Sequence, residues 1–234
     1  MNKRENILEE FEQKIGFVFK NNKLLDIALT HSSYANNKKN VKFNERLEFL
    51  GDSVLQLCIS EYLFNLYSDK DEGELTRNRA LIVCENSLYI VSKKFDIGKY
   101  MKMSRGEELT GGRSRESIIA DCVEAVIAAI YLDSGMEYAE KFILGNFKDI
   151  IDKVINNQII LDYKTRLQEM LQKHGEVSIS YNLITFIGPP HRRKFFMEVS
   201  LKDKELGRGS GFSKKEAEQN AAKDALKRLG CVYE

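Results

Sequence analysis

The sequence predicts two domains of different fold class, an all-α domain followed by an α+β domain with the order α-β-β-β-α. In residues 1–155, apolar side chains recur with helical spacing and no segment alternates convincingly between apolar and polar residues, so no strand is expected there. In residues 162–234 the pattern changes to a helix, three short strands and a final helix. The polar stretch Asn156-Asn157-Gln158 interrupts the first pattern, and we place a linker over 156–161.

Each element follows from local spacing. The expected helices of the first domain cover 5–20, 22–31, 44–67, a helix that begins near Glu74 and extends over 86–95, then 116–132 and 136–155. Between them, 98–115 reads as a polar loop with Gly111-Gly112 at its centre and three arginines. Such a loop suits phosphate contacts, although the P-loop spacing is absent. The second domain should contain a helix over 162–173, strands over 178–186, 194–201 and 204–209, and a helix over 214–229.

The net charge of +1 conceals a division between the two domains. Residues 162–234 carry 14 Lys and Arg against 10 Asp and Glu, whereas the remainder carries 22 against 25. An acidic first part and a basic second part indicate separate functions. The second part is only mildly basic, so charge alone is weak support for nucleic-acid binding.

Composition also excludes several classes of protein. No run of 18 apolar residues is present, so no membrane span is expected, and the charged N-terminus lacks the apolar centre of a signal peptide. The four cysteines are scattered and form no CxxC pair, which predicts a cytoplasmic protein without a zinc site. The sequence Gly207-Arg208-Gly209-Ser210-Gly211 lacks the spacing of a dinucleotide-binding loop, so no organic cofactor is expected.

The most informative stretch is 44–53, where three acids lie on one predicted helical stripe. Glu45, Glu48 and Asp52 occupy positions i, i+3 and i+7 and lead into an apolar run that reads as buried helix. Asp121 and Glu124 repeat the pattern at i and i+3 on a helix that is otherwise almost wholly apolar. Acids at buried positions repel one another and lose hydration. A positive group should therefore lie among them, either an arginine or a divalent cation such as Mg²⁺, and ordinary salt-bridged helix faces remain the alternative.

Residues 44–53 resemble the motif of the ribonuclease III family, and residues 29–34 and 111–135 resemble two further blocks of that family. The resemblance implies that Glu48, Asp52, Asp121 and Glu124 gather around a divalent metal, Mg²⁺ with Mn²⁺ as an alternative ion. Asp52 and Glu124 are then also catalytic, and Glu45 and Glu72 line the same valley and act less directly. His31, at the end of a predicted helix, is expected to be structural.

Phe49 adjoins Glu48 and points off the acid stripe, so core packing is its simplest role. In the resembled family the equivalent aromatic side chain inserts into a partner subunit. The resemblance therefore implies a symmetric homodimer with Phe49 at its interface.

Residues 162–234 resemble a double-stranded RNA-binding domain, a module that reads the shape of A-form RNA and not its sequence. The resemblance implies three contact regions, on the first helix, in the turn after the first strand and at the start of the last helix. Their residues are Thr165, Gln168, Glu169, His191, Ser213, Lys214 and Lys215. A solvated helix face would also account for Lys214 and Lys215, but lysines at a helix N-terminus oppose the helix dipole, which favours phosphate binding.

The resemblance of both halves implies a metal-dependent endoribonuclease that cuts double-stranded RNA and leaves staggered ends with 5′-phosphates and 3′-hydroxyls. Processing of ribosomal RNA precursors and structured mRNAs is the implied role. A catalytically silent family member that binds and regulates duplex RNA is the alternative, although such a protein would be expected to have lost one or more of the acids. A helical scaffold is a third interpretation, but it leaves His191, Lys214 and Lys215 unexplained.

Overall fold

The structure is a computed structural model that describes residues 3–36, 38, 40–156, 163–172, 178–189, 193–202 and 204–230. The chain divides into two compact units, Met1–Asn156 and Asn157–Glu234. His191, most of the predicted linker and the side chain of Glu169 lie outside the described residues. No helix within the described ranges is long and apolar enough to cross a membrane.

The first unit is helical throughout its described part, as the sequence predicts. Its α-helices are α1 (Lys3–Ile15), α2 (Asn22–Ala28), α3 (Ser32–Ala35), α4 (Glu45–Leu66), α5 (Glu72–Ile82), α6 (Glu85–Phe95), α7 (Ile97–Tyr100), α8 (Arg105–Leu109), α9 (Glu116–Ser134) and α10 (Met136–Ile155). A short 3₁₀ helix, Gly112–Ser114, precedes α9.

Helix α9 forms the centre of this unit. Eleven of its residues are buried, including every position from Ala125 to Ile130. It packs against α4 most extensively and also against α2, α6 and α10. A helix that is apolar on all sides belongs in a core, so neighbouring helices surround α9 and only its few polar positions can reach a cleft.

Several helix boundaries differ from the sequence predictions for local reasons. Helix α1 ends at Ile15 because Gly16 adopts a left-handed conformation, with φ of +68°. Helix α5 begins two residues earlier than predicted because the side chain of Asp71 caps it by accepting a hydrogen bond from the Glu74 amide at 2.8 Å. A break at Val83 and Cys84, which is extended, separates α5 from α6.

The predicted polar loop over 98–115 is wrong in part, because it contains α7, α8 and the 3₁₀ helix. Tyr100, Met101 and Met103 are buried there. The guanidinium of Arg113 donates to the carbonyl oxygens of Gly98 and Met101, at 2.7 and 2.9 Å. These contacts fold the segment onto the domain immediately before α9.

The second unit contains α11 (Tyr163–Gln172), β1 (Ile179–Ile187), β2 (Lys194–Leu201), β3 (Lys204–Gly211) and α12 (Lys214–Arg228). The strands form an antiparallel sheet in the order β1-β2-β3, with an irregular register between Leu183 and Thr185. The predicted α-β-β-β-α order is confirmed. Its core combines Leu167, Met197 and Val199 with four alanines and Leu226 of α12.

Glycines let α12 lie directly on β3. A Cβ atom on Gly209 would come within 2.1 Å of the Ala221 amide nitrogen, and one on Gly207 within 2.4 Å of the Ala225 amide nitrogen. The alternating glycines of β3 therefore serve helix packing.

Candidate functional site

The two acid-bearing segments lie on α4 and α9, the pair of helices that pack most closely in the first unit. Gly51 makes this approach feasible, because a Cβ atom at that position would lie 1.8 Å from the carbonyl oxygen of Glu124. Gly51 is buried between Glu48 and Asp52 on the chain. The close contact therefore brings the acids of one helix beside those of the other.

The carboxyl groups of these helices lie close enough to perturb one another. The pKa of Glu124 is raised to about 8, chiefly by burial and then by the charges of Asp52, Asp121 and Glu48 in that order. Burial also raises the pKa of Glu48, with additional contributions from Asp121, Glu45 and Asp52. Each ionised carboxylate thus makes ionisation of its neighbours less favourable.

Asp121 belongs to the same electrostatic cluster. Burial is the main cause of its raised pKa, the charge of Glu85 at the start of α6 raises it further, and His31 lowers it. His31 caps α3, because its Nδ1 accepts a hydrogen bond from the Ser33 amide at 3.3 Å and lies 2.8 Å from the Ser33 hydroxyl oxygen. The expected structural role of His31 is therefore confirmed, and its ring also lies near Asp121.

No lysine, arginine or histidine forms an ion pair with Glu48, Asp52, Asp121 or Glu124 among the residues that the structure describes. The interpretation as ordinary salt-bridged helix faces is therefore wrong for this part of the chain. The side-chain amide of Gln56 donates to both carboxylate oxygens of Asp52, at 2.8 Å each. Of the two positive groups considered from the sequence, an arginine is thus not the one that accompanies these acids.

The four carboxylates influence one another electrostatically but are not gathered into a metal-binding arrangement. Within the described ranges, no three His, Cys, Asp or Glu side chains are gathered closely enough to hold a metal ion. All four side chains are partly buried, and all their donor atoms are oxygen, the type that Mg²⁺ prefers. The donor set therefore fits a hard divalent cation, and its coordination stays a prediction.

The two acids with a secondary predicted role occupy different places. Glu45 is exposed in the first turn of α4 and contributes to the raised pKa of Glu48. Glu72 is exposed at the start of α5, and its carboxylate accepts a hydrogen bond from the Thr76 hydroxyl at 3.0 Å. Its charge is not among the causes of the raised pKa values of Glu48, Asp121 and Glu124, so the electrostatics of the cluster give no support to its predicted role.

Sequence reasoning overlooked three residues of this site, namely Gly51, Gln56 and Glu85. A glycine inside an otherwise strong helical pattern was the available signal for Gly51, because glycine weakens a helix and needs a packing reason. Gln56 follows Asp52 by four residues, the spacing at which helical side chains meet. Glu85 gave no signal, since only the tertiary fold brings it near Asp121.

Two of the three arginines in the 98–115 segment, Arg113 and Arg115, have structural partners instead of the free guanidinium groups expected for phosphate contacts. Arg113 binds backbone carbonyls and pairs with Glu108. Arg115 pairs with Glu107, at 2.7 Å between its Nη1 and a carboxylate oxygen. Arg105 is exposed at the start of α8.

Phe49 lies on the outer face of α4 with 78% of its surface exposed, so core packing is not its role within this chain. Leu57 and Phe64 share that face and are 60% and 72% exposed, and we call these three residues the α4 apolar stripe. A separate apolar cavity of about 570 Å³ is bordered by α2, the start of α4 and α9. Its lining includes Leu24, Ile27, Phe43, Leu47, Leu50 and Leu132.

In the second unit, the described residues of the predicted RNA-contact set are exposed. Thr165 and Gln168 lie on α11, and Lys214 and Lys215 lie in the first turn of α12. Ser213 caps α12 by accepting a hydrogen bond from the Glu216 amide at 3.1 Å. The two ammonium groups have no acidic partner among the described residues, although a helix N-terminus is unfavourable for positive charge.

Comparison with known proteins agrees with both halves of this description. The model of the ribonuclease-III-like family matches residues 21–151, and the model of the double-stranded RNA binding motif matches residues 163–229. The chain belongs to the ribonuclease III family. Among ribonuclease III relatives, the protein named Ribonuclease 3 from Clostridium perfringens is 67% identical over 223 residues, which cover 95% of this chain and 94% of the relative. The protein of the same name from Clostridium kluyveri is 64% identical over 224 residues, covering 96% and 92%.

Solved ribonuclease III structures support the fold of the first unit. The nuclease domain of ribonuclease III from Campylobacter jejuni is 41% identical, with a TM-score of 0.56, and the match covers 60% of this chain and 99% of that domain. That structure is described as showing flexibility in a region involved in dimer formation. The predicted fold class, a helical ribonuclease III domain followed by a double-stranded RNA-binding domain, is thereby confirmed.

Proposed function

We propose that this protein is an endoribonuclease that hydrolyses double-stranded RNA with a divalent metal held by Glu48, Asp52, Asp121 and Glu124. The observation that carries this proposal is the cluster of four partly buried carboxylates on α4 and α9, none of which forms an ion pair with a lysine, arginine or histidine in the described chain. Family membership supplies the class of enzyme, and the double-stranded RNA binding motif supplies the class of substrate.

The physical case for a metal rests on charge balance. Each of Glu48, Asp121 and Glu124 has a raised pKa because burial and neighbouring carboxylates oppose its ionisation. A divalent cation would reverse this penalty and keep the carboxylates ionised near neutral pH. Mg²⁺ fits the all-oxygen donor set, and Mn²⁺ accepts the same ligands. When bound, such an ion lowers the pKa of water and offsets charge on the phosphate during hydrolysis.

The acidic side chains and their neighbours have distinct proposed roles in the reaction. Asp52 and Glu124 are the two acids nearest the tight contact between α4 and α9, and we assign them the catalytic role alongside metal binding. Gln56 holds the Asp52 carboxylate through hydrogen bonds to both oxygens, and Glu45 adds negative charge at the head of α4. Glu72 stays a weaker candidate for a supporting role, because it stands outside the cluster of mutually shifted acids.

The second unit would bind the duplex through its exposed helical residues. Lys214 and Lys215 place two ammonium groups where α12 also presents unpaired backbone amides, and both features favour a phosphate. Thr165 and Gln168 offer hydrogen-bonding groups suited to the 2′-hydroxyls of an RNA minor groove. Glu169 and His191 remain predicted contacts of the same surface.

A homodimer completes the proposal. The α4 apolar stripe exposes three large side chains that a monomer would leave in water, and removing such area from water is favourable. In a symmetric dimer the same patch faces itself, and the apolar cavity beside Leu24 and Leu47 could receive the partner's Phe49. Two acid clusters would then serve opposite strands of one duplex and leave staggered ends with 5′-phosphates and 3′-hydroxyls.

A catalytically silent RNA-binding regulator is disfavoured because all four acids are retained and near-full-length relatives are named Ribonuclease 3. The biological role we propose is processing of ribosomal RNA precursors and structured mRNAs. A cytoplasmic location stays a prediction from the free cysteines Cys58, Cys84 and Cys122.

The deciding experiment incubates the purified protein with an end-labelled RNA duplex in Mg²⁺, in Mn²⁺ and in EDTA. We expect duplex cleavage with either ion, none in EDTA, and no cleavage of single strands of the same sequence. Binding without cleavage in both metals would reject the enzyme and favour the regulator. Cleavage that persists in EDTA would reject the metal site.

A further inference from the structure

A basic pocket in the first unit lies outside the acid cluster and has no role in the proposed function so far. It has a volume of about 420 Å³ and is bordered by α2, α3 and the segment that precedes α4. Four lysines line it, against a single acid, Asp26: Lys23, Lys38, Lys42 and Lys102. A pocket with this excess of positive charge is suited to an anion.

The negative charge of Asp26 is already balanced within the protein. Its carboxylate accepts hydrogen bonds from Arg4 Nε at 2.7 Å and from Lys102 Nζ at 2.6 Å. Burial alone would raise the pKa of Asp26, but the hydrogen bonds from Lys102 and Arg4 lower it below its ordinary value. Asp26 therefore stays ionised and leaves the other three lysines without a counter-charge.

The remaining lysines, Lys23, Lys38 and Lys42, line one pocket without an acidic partner among the described residues. Lys23 and Lys42 form no ion pair with any residue in the described chain. The Nζ atom of Lys38 lies 3.3 Å from the centre of the Tyr34 ring, and the Nζ atom of Lys102 lies 5.8 Å from the same centre. Tyr34 thus draws two ammonium groups toward one ring through its negative face. Like charges gathered in this way repel one another, and a bound anion would relieve the repulsion.

We propose that this pocket binds a phosphate group of a ribonucleotide. Ammonium groups are established phosphate ligands, and the cavity lies within the roughly 300–1,000 Å³ range of small-molecule sites. Ile27 and Val41 supply apolar surface beside the lysines, which suits a ribose or base next to the phosphate. The phosphate could belong to an RNA strand or to a free nucleotide.

The position of the pocket favours an RNA strand. Thr30 lines the pocket, and two residues before it the carbonyl oxygen of Ala28 accepts a hydrogen bond at 3.4 Å from the thiol of Cys122, the residue that follows Asp121. One short segment therefore borders both the basic pocket and the acid cluster. This inference rests on the proposed function, since it assigns the pocket a phosphate of the same duplex that the acids would cleave.

The test compares the double variant Lys23→Ala with Lys38→Ala, two lysines that line this pocket and not the apolar cavity beside Leu24 and Leu47, against a matched control, Lys148→Ala with Lys153→Ala. The control removes the same charge from two exposed lysines of α10 that do not line the pocket. Binding of the full-length proteins to a labelled RNA duplex is measured in EDTA at several salt concentrations. A parallel titration measures binding of adenosine 5′-monophosphate.

If the phosphate is that of an RNA strand, the pocket variant should bind the duplex several-fold more weakly, with a salt slope reduced by about 2 relative to the control. Loss of nucleotide binding with unchanged duplex binding would instead assign the pocket to a free nucleotide. Unchanged binding of both ligands would overturn the inference. Mg²⁺-dependent cleavage by the unaltered protein tests the proposed function independently, so a failure of the pocket leaves that result standing.

Discussion

The side-chain amide of Gln56 lies 2.8 Å from each carboxylate oxygen of Asp52, one helical turn away on α4. This single donor fixes the rotation of a predicted metal ligand that has no cationic partner in the described chain. Residues that orient a metal ligand in this way typically change metal affinity by about 10–100-fold when they are replaced.

The first prediction concerns that contact. Gln56→Leu keeps the size of the side chain but removes the donor, so we expect about 10-fold more Mg²⁺ to be needed for half-maximal duplex cleavage. Binding of Mn²⁺ followed by electron paramagnetic resonance should weaken in parallel. Gln13→Leu, at an exposed position of α1, is the control. Unchanged metal binding would show that Asp52 does not depend on Gln56.

The second prediction concerns the contact between α4 and α9. In Gly51→Ala the added methyl group would lie 1.8 Å from the Glu124 carbonyl oxygen, and the helices must move apart. Overpacking of this kind usually costs about 1–3 kcal/mol, and we expect a lower melting temperature together with weaker metal binding.

Gly145→Ala provides a matched comparison for that change. Gly145 also lies within a helix, but a Cβ atom there would meet nothing within 4 Å. The change should be neutral or stabilise the protein by up to about 1 kcal/mol, because alanine favours helix more than glycine. Equal melting temperatures for the two variants would contradict the close contact at Gly51.

The third prediction is a pH dependence of stability without metal. The pKa of Glu124 is raised to about 8 by burial and by its acidic neighbours, whereas in the unfolded chain it should lie near 4.3. A carboxyl group with a raised pKa in the folded state favours folding at low pH, and its contribution is lost as the pH rises through about 8. In EDTA, the melting temperature of the unaltered protein should therefore fall between about pH 5 and pH 9.

Glu124→Gln should flatten that dependence and abolish cleavage, since an amide neither ionises nor binds metal as a carboxylate does. Duplex binding should persist, because the change touches no predicted RNA contact. Melting curves at both pH values, with and without Mg²⁺, provide the measurement. A variant that cleaves at the normal rate would remove Glu124 from the metal site.

The fourth prediction addresses the second unit. Lys214→Ala with Lys215→Ala should weaken duplex binding and reduce the dependence of log affinity on log salt by about 2, because two phosphate contacts are lost. Lys204→Ala, at the exposed start of β3, should leave the slope unchanged. An unaltered slope in the double variant would mean that α12 presents these lysines to solvent only.

The fifth prediction concerns assembly. Phe49 is 78% exposed on the α4 apolar stripe, so Phe49→Asp should leave the monomer folded while placing a charge in the proposed interface. Analytical ultracentrifugation should show a dimer for the unaltered protein and a monomer for the variant. Phe212→Asp, at a 65% exposed position of the second unit, should remain dimeric. A variant at Phe49 that stays dimeric would place the interface elsewhere.

The sequence predicted most of the fold because its patterns are local. The apolar periodicity of α4 and α9 and the alternation in the second domain are readable from neighbouring residues. What it missed depends on contacts distant in the chain. Arg113 folds the 98–115 segment by donating hydrogen bonds to the carbonyl oxygens of Gly98 and Met101. The spacing of apolar residues alone cannot distinguish short helical turns held by such contacts from a polar loop.

The acid cluster shows the same division. The spacing of Glu48, Asp52, Asp121 and Glu124 indicated which residues share a helical face, whereas the proximity of Glu85 to Asp121 arises only when α6 packs on α9. Glu72 is predicted through family resemblance alone, and its charge is not among the causes of the raised pKa values in the cluster. Local periodicity therefore predicted the acids on each helix but not their surroundings.

The burial of α9 determines how the arrangement of Asp121 and Glu124 is lost when the protein unfolds. Local opening is easiest where backbone amides are exposed and contacts are few, and α9 lies at the opposite extreme, with neighbouring helices on several sides. Amide protons around Asp121 and Glu124 should thus be among the slowest in the first unit to exchange with solvent. Thermal fraying of the surface helices would leave these two acids in place, so the site should disappear only when the helical unit loses its cooperative structure.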